Sequence, residues 1–356
     1  MSAFVPADRL KLKRLEGKGG TLFSLATADR ACPALLPDER CQVHAAYGEA
    51  EKPGSCQIFP YTFVSTPTGV RVGASFSCPA VEVEGTTLSE QSAEIVALFE
   101  RVASSHSVSV GERVPFDREH TISFSDCESL VSAMLDCLRV PASAVEKILR
   151  AVATVALVQD GLIKGDTFSL ELAIERRQEL IGQVLSEPPS PDRLSRALFR
   201  TLLASTAPGY SSGGSFLRSM GALGSLLGKN SVALRGGSVP AKEIETVSRD
   251  LDEEVQSLIA RWMSATLESF TFFGAAAFGL PFSSGVELLM LSLSVALYLA
   301  RGYAALERRN RVTVEDLRRG LRQMDAGVMH REAMPDRLAR TLEASDALAL
   351  LREQLG

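Results

Sequence analysis

The stretch 269-SFTFFGAAAFGLPFSSGVELLMLSLSVALYLA-300 decides the fold of this chain, and its only charged residue is Glu287. Such a run is either a bilayer span or the centre of a protein interior, because a helix apolar on every face must be surrounded by other apolar groups. Pro281, three glycines and Glu287 interrupt it. The uncharged runs that remain, Ser269–Val286 and Leu288–Ala300, are each shorter than the ~20 apolar residues a span requires. The stretch is therefore read as a buried helix pair, and a membrane span is disfavoured.

Burying such a pair takes a large partner surface, and 356 residues with 46% hydrophobic and 23% charged side chains supply one without disulfide staples. The balance of 38 basic against 43 acidic residues gives a net charge of -5. No long Lys or Arg run supplies the footprint of a nucleic-acid binder, so proteins or small molecules are the expected partners. The first twenty residues lack the apolar run of ~7 or more that a signal peptide needs, which makes the cytoplasm the expected compartment. There, six cysteines stay reduced, and a cluster of them reads as metal-binding or catalytic.

On the C-terminal side of residue 140 the apolar spacing is helical almost throughout, with helices expected over 142–158, 166–186, 191–206, 214–228, 241–270, 284–308, 313–329 and 335–354. Residues 208–240 hold eight glycines and are expected to be the most mobile segment. Asp252-Glu253-Glu254 and Glu315-Asp316 fall in first turns, where negative charge favours the helix dipole, and Arg318, Arg319 and Arg322 read as a solvated face. On the N-terminal side, a strand is expected over 21–27, and a hairpin pairs 61–65 with 70–76 around Thr66-Pro67-Thr68-Gly69. A helix over 89–105, a β stretch at 107–114 with 120–124, and a capping box at Ser125–Glu128 follow. The expected fold is mainly α: a small cysteine-cluster module with a β-hairpin, residues 1–85, docked on a helical domain, residues 86–356.

Four of the six cysteines, Cys32, Cys41, Cys56 and Cys78, lie between Ala31 and Val81. Thiolates are soft donors, and four of them fill the tetrahedral sphere of zinc or hold an iron–sulfur cluster. Packed, reduced thiols are the competing reading, since free cysteine is among the most buried residue types, and the spacing contains no C-x-x-C pair to decide between them. His44, three residues past Cys41, reads as a structural polar residue of the core; His106, His120 and His330 form no constellation. Cys127 and Cys137 sit on one expected helix and point ~80° apart, which makes them core thiols.

The residues themselves carry a resemblance. Cys32-Pro33-Ala34-Leu35, Asp38-Glu39, Cys41-Gln42-Val43-His44, Gly48-Glu49, Lys52-Pro53, Cys56-Gln57-Ile58-Phe59-Pro60 and Ser77-Cys78-Pro79 occur in that order. Together they resemble the cysteine-cluster family of zinc- or iron-chelating proteins, and within it most of all the flagellin lysine-N-methylases. The apolar segment Phe272–Phe282, the long helix after it, Val312–Asp316 and a helix ending at His330 resemble the helical C-terminal part of those methylases.

The resemblance implies Cys32, Cys41, Cys56 and Cys78 as metal ligands and zinc or an iron–sulfur cluster as the group held. It also implies S-adenosylmethionine as a methyl donor and a lysine of a protein substrate as the acceptor. The family's earlier group of cysteines, ending in a Cys-Cys pair, has no counterpart before Cys32. Either that half lies upstream of Met1 or this member lacks it. No Rossmann-type donor turn is legible: Gly17-Lys18-Gly19-Gly20 follows a charged stretch, and Gly213-Gly214 lies between expected helices. The alternative reading is a non-catalytic, metal-stabilised helical interaction protein.

Overall fold

A computed structural model describes residues 11–17, 20–26, 41–76, 78, 81, 92–102, 107–165, 167–186, 188–207, 231–328, 341–342 and 346–355. The chain divides into two units, residues 1–59 with 87–106 and residues 60–86 with 107–356. In the first, strands β1 (Lys11–Gly17) and β2 (Gly20–Ala26) pair antiparallel with Lys11 opposite Ala26. Strand β2 is the one expected over 21–27; β1 is hidden in the sequence by its charged residues, because pairing overrides weak strand propensity. Two short helices follow, α1 (Gln42–Tyr47) and α2 (Gly54–Ile58), then α3 (Ser92–Arg101), which buries Ile95 and Leu98. The buried Gln57 amide donates to the Ala50 and Lys52 carbonyls at 2.9 and 2.7 Å, tying α2 to the turn before it.

The second unit opens with the hairpin β3 (Tyr61–Thr66) and β4 (Gly69–Ala74), which β5 (Val108–Ser109) joins in parallel. The expected hairpin thus forms, and it groups with the second unit. Strands β6 (Arg113–Pro115) and β7 (Thr121–Ser123) make a second hairpin, and α4 (Phe124–Arg139) starts directly from β7. Its capping box is Ser123 with Asp126, two residues before the expected one. Ser123 keeps the extended backbone of the strand, and its hydroxyl accepts the Asp126 N–H at 3.1 Å. Helices α5 (Ala144–Ile163), α6 (Leu170–Ser186) and α7 (Arg193–Ser205) follow, with Ser143 capping α5 and Asp192 capping α7.

Residues 208–230, including the helix expected over 214–228, lie outside the described residues. The end of that glycine-rich interval is a hairpin, β8 (Ser231–Leu234) with β9 (Gly237–Pro240), turning at Gly236 with φ 101°. The single helix expected over 241–270 is two, α8 (Ala241–Ile244) and α9 (Glu253–Glu268). Asp252 starts the second by accepting the Val255 N–H at 2.9 Å, while the Ser248 N–H between them bonds the Asn310 carbonyl at 2.8 Å. Helices α10 (Phe282–Leu306), α11 (Val314–Val328) and α12 (Ala347–Leu355) complete the chain, and the expected start of the last helix at Pro335 lies outside the described residues.

The deciding stretch is one helix and a loop, not a helix pair. Before α10, residues 270–281 fold into a compact turn: Gly274 and Gly279 take φ 63° and 77°, Phe278 takes φ 61°, and the Gly274 N–H bonds the Leu280 carbonyl at 2.8 Å. Those left-handed positions and Pro281 stop helix propagation. Helix α10 is long and apolar enough to cross a membrane, but 89% of its most apolar window is buried within the chain. Its neighbours come close through small residues. A Cβ at Gly285 would lie 2.3 Å from the Phe272 carbonyl oxygen, and one at Gly320 of α11 would lie 2.3 Å from that of Ala296. A buried polar knot fixes β8–β9 to this core: the Tyr303 hydroxyl donates to Gln323 Oε1 at 2.5 Å, and Gln323 Nε2 donates to the Ala233 carbonyl at 3.0 Å.

Glu287 faces the start of α12, accepting the Ala347 N–H at 3.3 Å. Burial, with a smaller contribution from Asp346, pushes its carboxyl up to about 8. The folded chain therefore keeps a proton that the unfolded chain releases above the usual carboxylate range. The stability this group contributes is complete at pH 4 and is lost as pH rises towards 8. Glu287→Gln keeps an acceptor without the charge; it is expected to raise stability at pH 8 by about 2 kcal/mol and to flatten the dependence between pH 5 and 8, read from urea unfolding. A variant no more stable than the parent at pH 8 contradicts this.

Candidate functional site

The cysteines fall into two physical classes. Cys127 and Cys137 are buried in α4 at 0% and 2% exposure, as expected of core thiols. Burial, reinforced by Glu128 and Asp126, pushes the Cys127 thiol up to about 12. Burial raises Cys137 as well, against the pull of Arg177, whose Nη1 donates to its sulfur at 2.9 Å. Neither is available as a thiolate near neutral pH.

The cysteine segment is different. Cys56 is exposed on α2, where Pro53 starts the helix and accepts the Cys56 N–H at 2.8 Å. Cys41 is half-buried at the N-cap of α1, its carbonyl taking the Ala45 N–H at 2.9 Å. Cys78 is half-buried after β4, with its N–H on the Ser75 carbonyl at 3.1 Å. All three are free thiols; Cys32 lies outside the described residues. Cys41 and Cys56 belong to the first unit and Cys78 to the second. Among the described residues, no three or more His, Cys, Asp or Glu form a group that would hold a metal ion.

The histidines add no ligand to this set. His44 is exposed on α1, not a core residue as expected, because α1 has no buried face. His120 pairs with Asp117 at 2.9 Å across the β6–β7 turn. Burial alone would raise the Asp117 carboxyl, but the His120 ring and the backbone N–H groups of His120 and Glu119 outweigh it and hold it low. His106 and His330 lie outside the described residues. The carboxylate pairs are structural: Asp252 caps α9, and Asp316 is buried against Arg309 at 2.5 and 2.7 Å. Of the arginines read as a solvated face, Arg319 pairs with Glu307 at 2.5 Å and lies 5.1 Å from the Tyr303 ring centre.

One site has no local signal in the sequence. The β3–β4 hairpin and helices α9, α10 and α11 surround a cavity of about 160 Å³, in which Trp262 and Phe272 meet Ser75, Ser292 and Asp325. Asp325 is 9% exposed and accepts the Ser75 hydroxyl at 2.5 Å. These residues are hundreds of positions apart in part, so only the fold assembles them. Gly17 ends β1 and Gly20 begins β2, so the glycines stand between two paired strands and not between a strand and a helix as a nucleotide-type turn requires. No family model, curated protein or solved structure matches this chain.

Proposed function

We propose that the chain is a metal- or iron–sulfur-binding cysteine-cluster protein in which Cys32, Cys41, Cys56 and Cys78 hold zinc or a cluster. The observation that carries this reading is the contrast in burial between the two classes of cysteine. Free cysteine is normally buried as a small apolar residue, which describes Cys127 and Cys137. Packing gives no such reason for Cys56, exposed on a five-residue helix, or for the half-buried Cys41 and Cys78. An accessible thiol is open to an incoming metal ion. Metal binding would then be coupled to bringing the four sulfurs together, since a ligand set of this kind is rarely preformed without its ion.

Thiol mapping tests this. Native protein stripped of metal and treated with a maleimide is expected to be modified at Cys41, Cys56 and Cys78, and one equivalent of Zn²⁺ is expected to protect all three, with Cys127 and Cys137 unreactive in both. Equal modification with and without Zn²⁺ would sink the proposal. Methyl transfer from S-adenosylmethionine to a protein lysine is the activity that the resemblance attaches to such a cluster. The non-catalytic reading, a metal-stabilised interaction protein, uses the same four ligands and needs no donor. Labelled methyl transfer to cellular protein supports the first, and metal binding without transfer supports the second.

A further inference from the structure

We propose that Arg301 of α10, with Arg249 and Arg200 beside it, binds a small free oxyanion of the phosphate class. Arg301 is 3% exposed, and its one hydrogen bond among the described residues runs from Nη2 to Gln354 Oε1 on α12. Its Nε and Nη1 are both buried and have no hydrogen-bond partner. The guanidinium lies 5.4 Å from the ring centre of Tyr298, and Phe199 of α7 meets that ring edge-on at 5.5 Å, so aromatic groups wall one side of it. Burial, and then Arg249, hold the Arg301 guanidinium down to about 10, which still leaves it charged at pH 7. A buried cation whose only partner is a neutral amide is costly until a counter-charge reaches it.

The neighbours deepen that imbalance. Arg249, half-buried between α8 and α9, acts on Arg301, and Arg200, exposed on α7, acts on Tyr298. Of the carboxylates that act on Arg301, Glu245 is exposed and Glu353 is held by Arg196 at 3.1 Å. Guanidinium groups therefore outnumber the carboxylates at this place, and the most buried of them is the one left without an ion pair. A cation is excluded by that charge, and a neutral ligand would satisfy the N–H groups without relieving it. Phosphate is rich in acceptors, carries about -1.5 to -2 charge near pH 7 and takes strong charge-assisted bonds from guanidinium. The exposed Arg200 and the half-buried Arg249 and Tyr298 give the anion its approach from solvent. No cysteine takes part, so the inference stands apart from the metal reading.

The probe is inorganic phosphate, titrated calorimetrically into the full chain at constant ionic strength set with chloride. Binding itself is read, because phosphate at high concentration stabilises proteins in general by exclusion from their surface. Expected is saturable binding of one phosphate per chain, weakened about tenfold, or ~1.4 kcal/mol, in Arg301→Met. Arg249→Gln, at a half-buried position, is expected to weaken it about threefold and keeps the proposal open to test if Arg301→Met does not fold. Arg261→Gln, on α9 and absent from this cluster, is expected to leave the affinity unchanged. No saturable binding of phosphate, or an affinity that neither Arg301→Met nor Arg249→Gln lowers, would overturn the proposal, as would an equal loss in Arg261→Gln.

Discussion

Phe282→Ala is expected to cost about 4 kcal/mol of folding stability. Phe282 is 0% exposed and begins α10, where three aromatic neighbours enclose its ring. Phe116 stacks on it at 5.8 Å, and Phe272 and Phe273 meet it at 5.2 and 5.3 Å. Truncation loses the transfer free energy of the ring and leaves a cavity whose walls are anchored separately: Phe116 by its carbonyl bond to the Ser283 N–H at 2.9 Å, Phe272 by the turn before the helix. The walls are therefore poorly placed to collapse. Phe282→Leu, which keeps most of the volume, is expected to cost below about 1.5 kcal/mol. Chemical denaturation of the two variants checks both values, and a Phe282→Ala loss no greater than that of Phe282→Leu would contradict this account of the core.

Gly320→Ala should cost about 3 kcal/mol, although alanine is the better helix former by ~1 kcal/mol. Gly320 has no positive φ to explain it; its role is the approach of α11 to α10. A methyl group there would sit 2.3 Å from the Ala296 carbonyl oxygen and 3.1 Å from the Ala300 nitrogen, and both are backbone atoms of a buried helix that cannot swing aside. The helices would have to separate, weakening the Tyr303–Gln323 bond that spans the same interface. Gly182, on α6 with open space around its Cβ position, is the control: Gly182→Ala should stabilise slightly. If both glycines respond alike, close packing is not what Gly320 provides.

The mainly α fold and most of its helices were legible because apolar periodicity is a local signal. The deciding stretch reads as buried, and its helix is. It reads as two helices because its apolar content says nothing about backbone, whereas Gly274, Phe278 and Gly279 take left-handed conformations that a helix excludes. The α4 cap was misplaced by two residues because Ser123 and Ser125 both have an acidic residue three positions on, and only the strand that ends at Ser123 chooses between them. The cavity was invisible because Ser75, Trp262, Ser292 and Asp325 are brought together by tertiary packing alone. For the cysteines, spacing gave the residues but not the property that separates them: exposure distinguishes Cys56 from Cys127, and a sequence motif does not contain it.

The metal content of the chain, purified anaerobically and analysed for zinc and iron, tests the central claim most directly. The account predicts roughly one zinc or one cluster per chain, reduced in Cys56→Ser and unchanged in Cys127→Ser. Protein that is folded and carries neither zinc nor iron, before and after incubation with either, would contradict it.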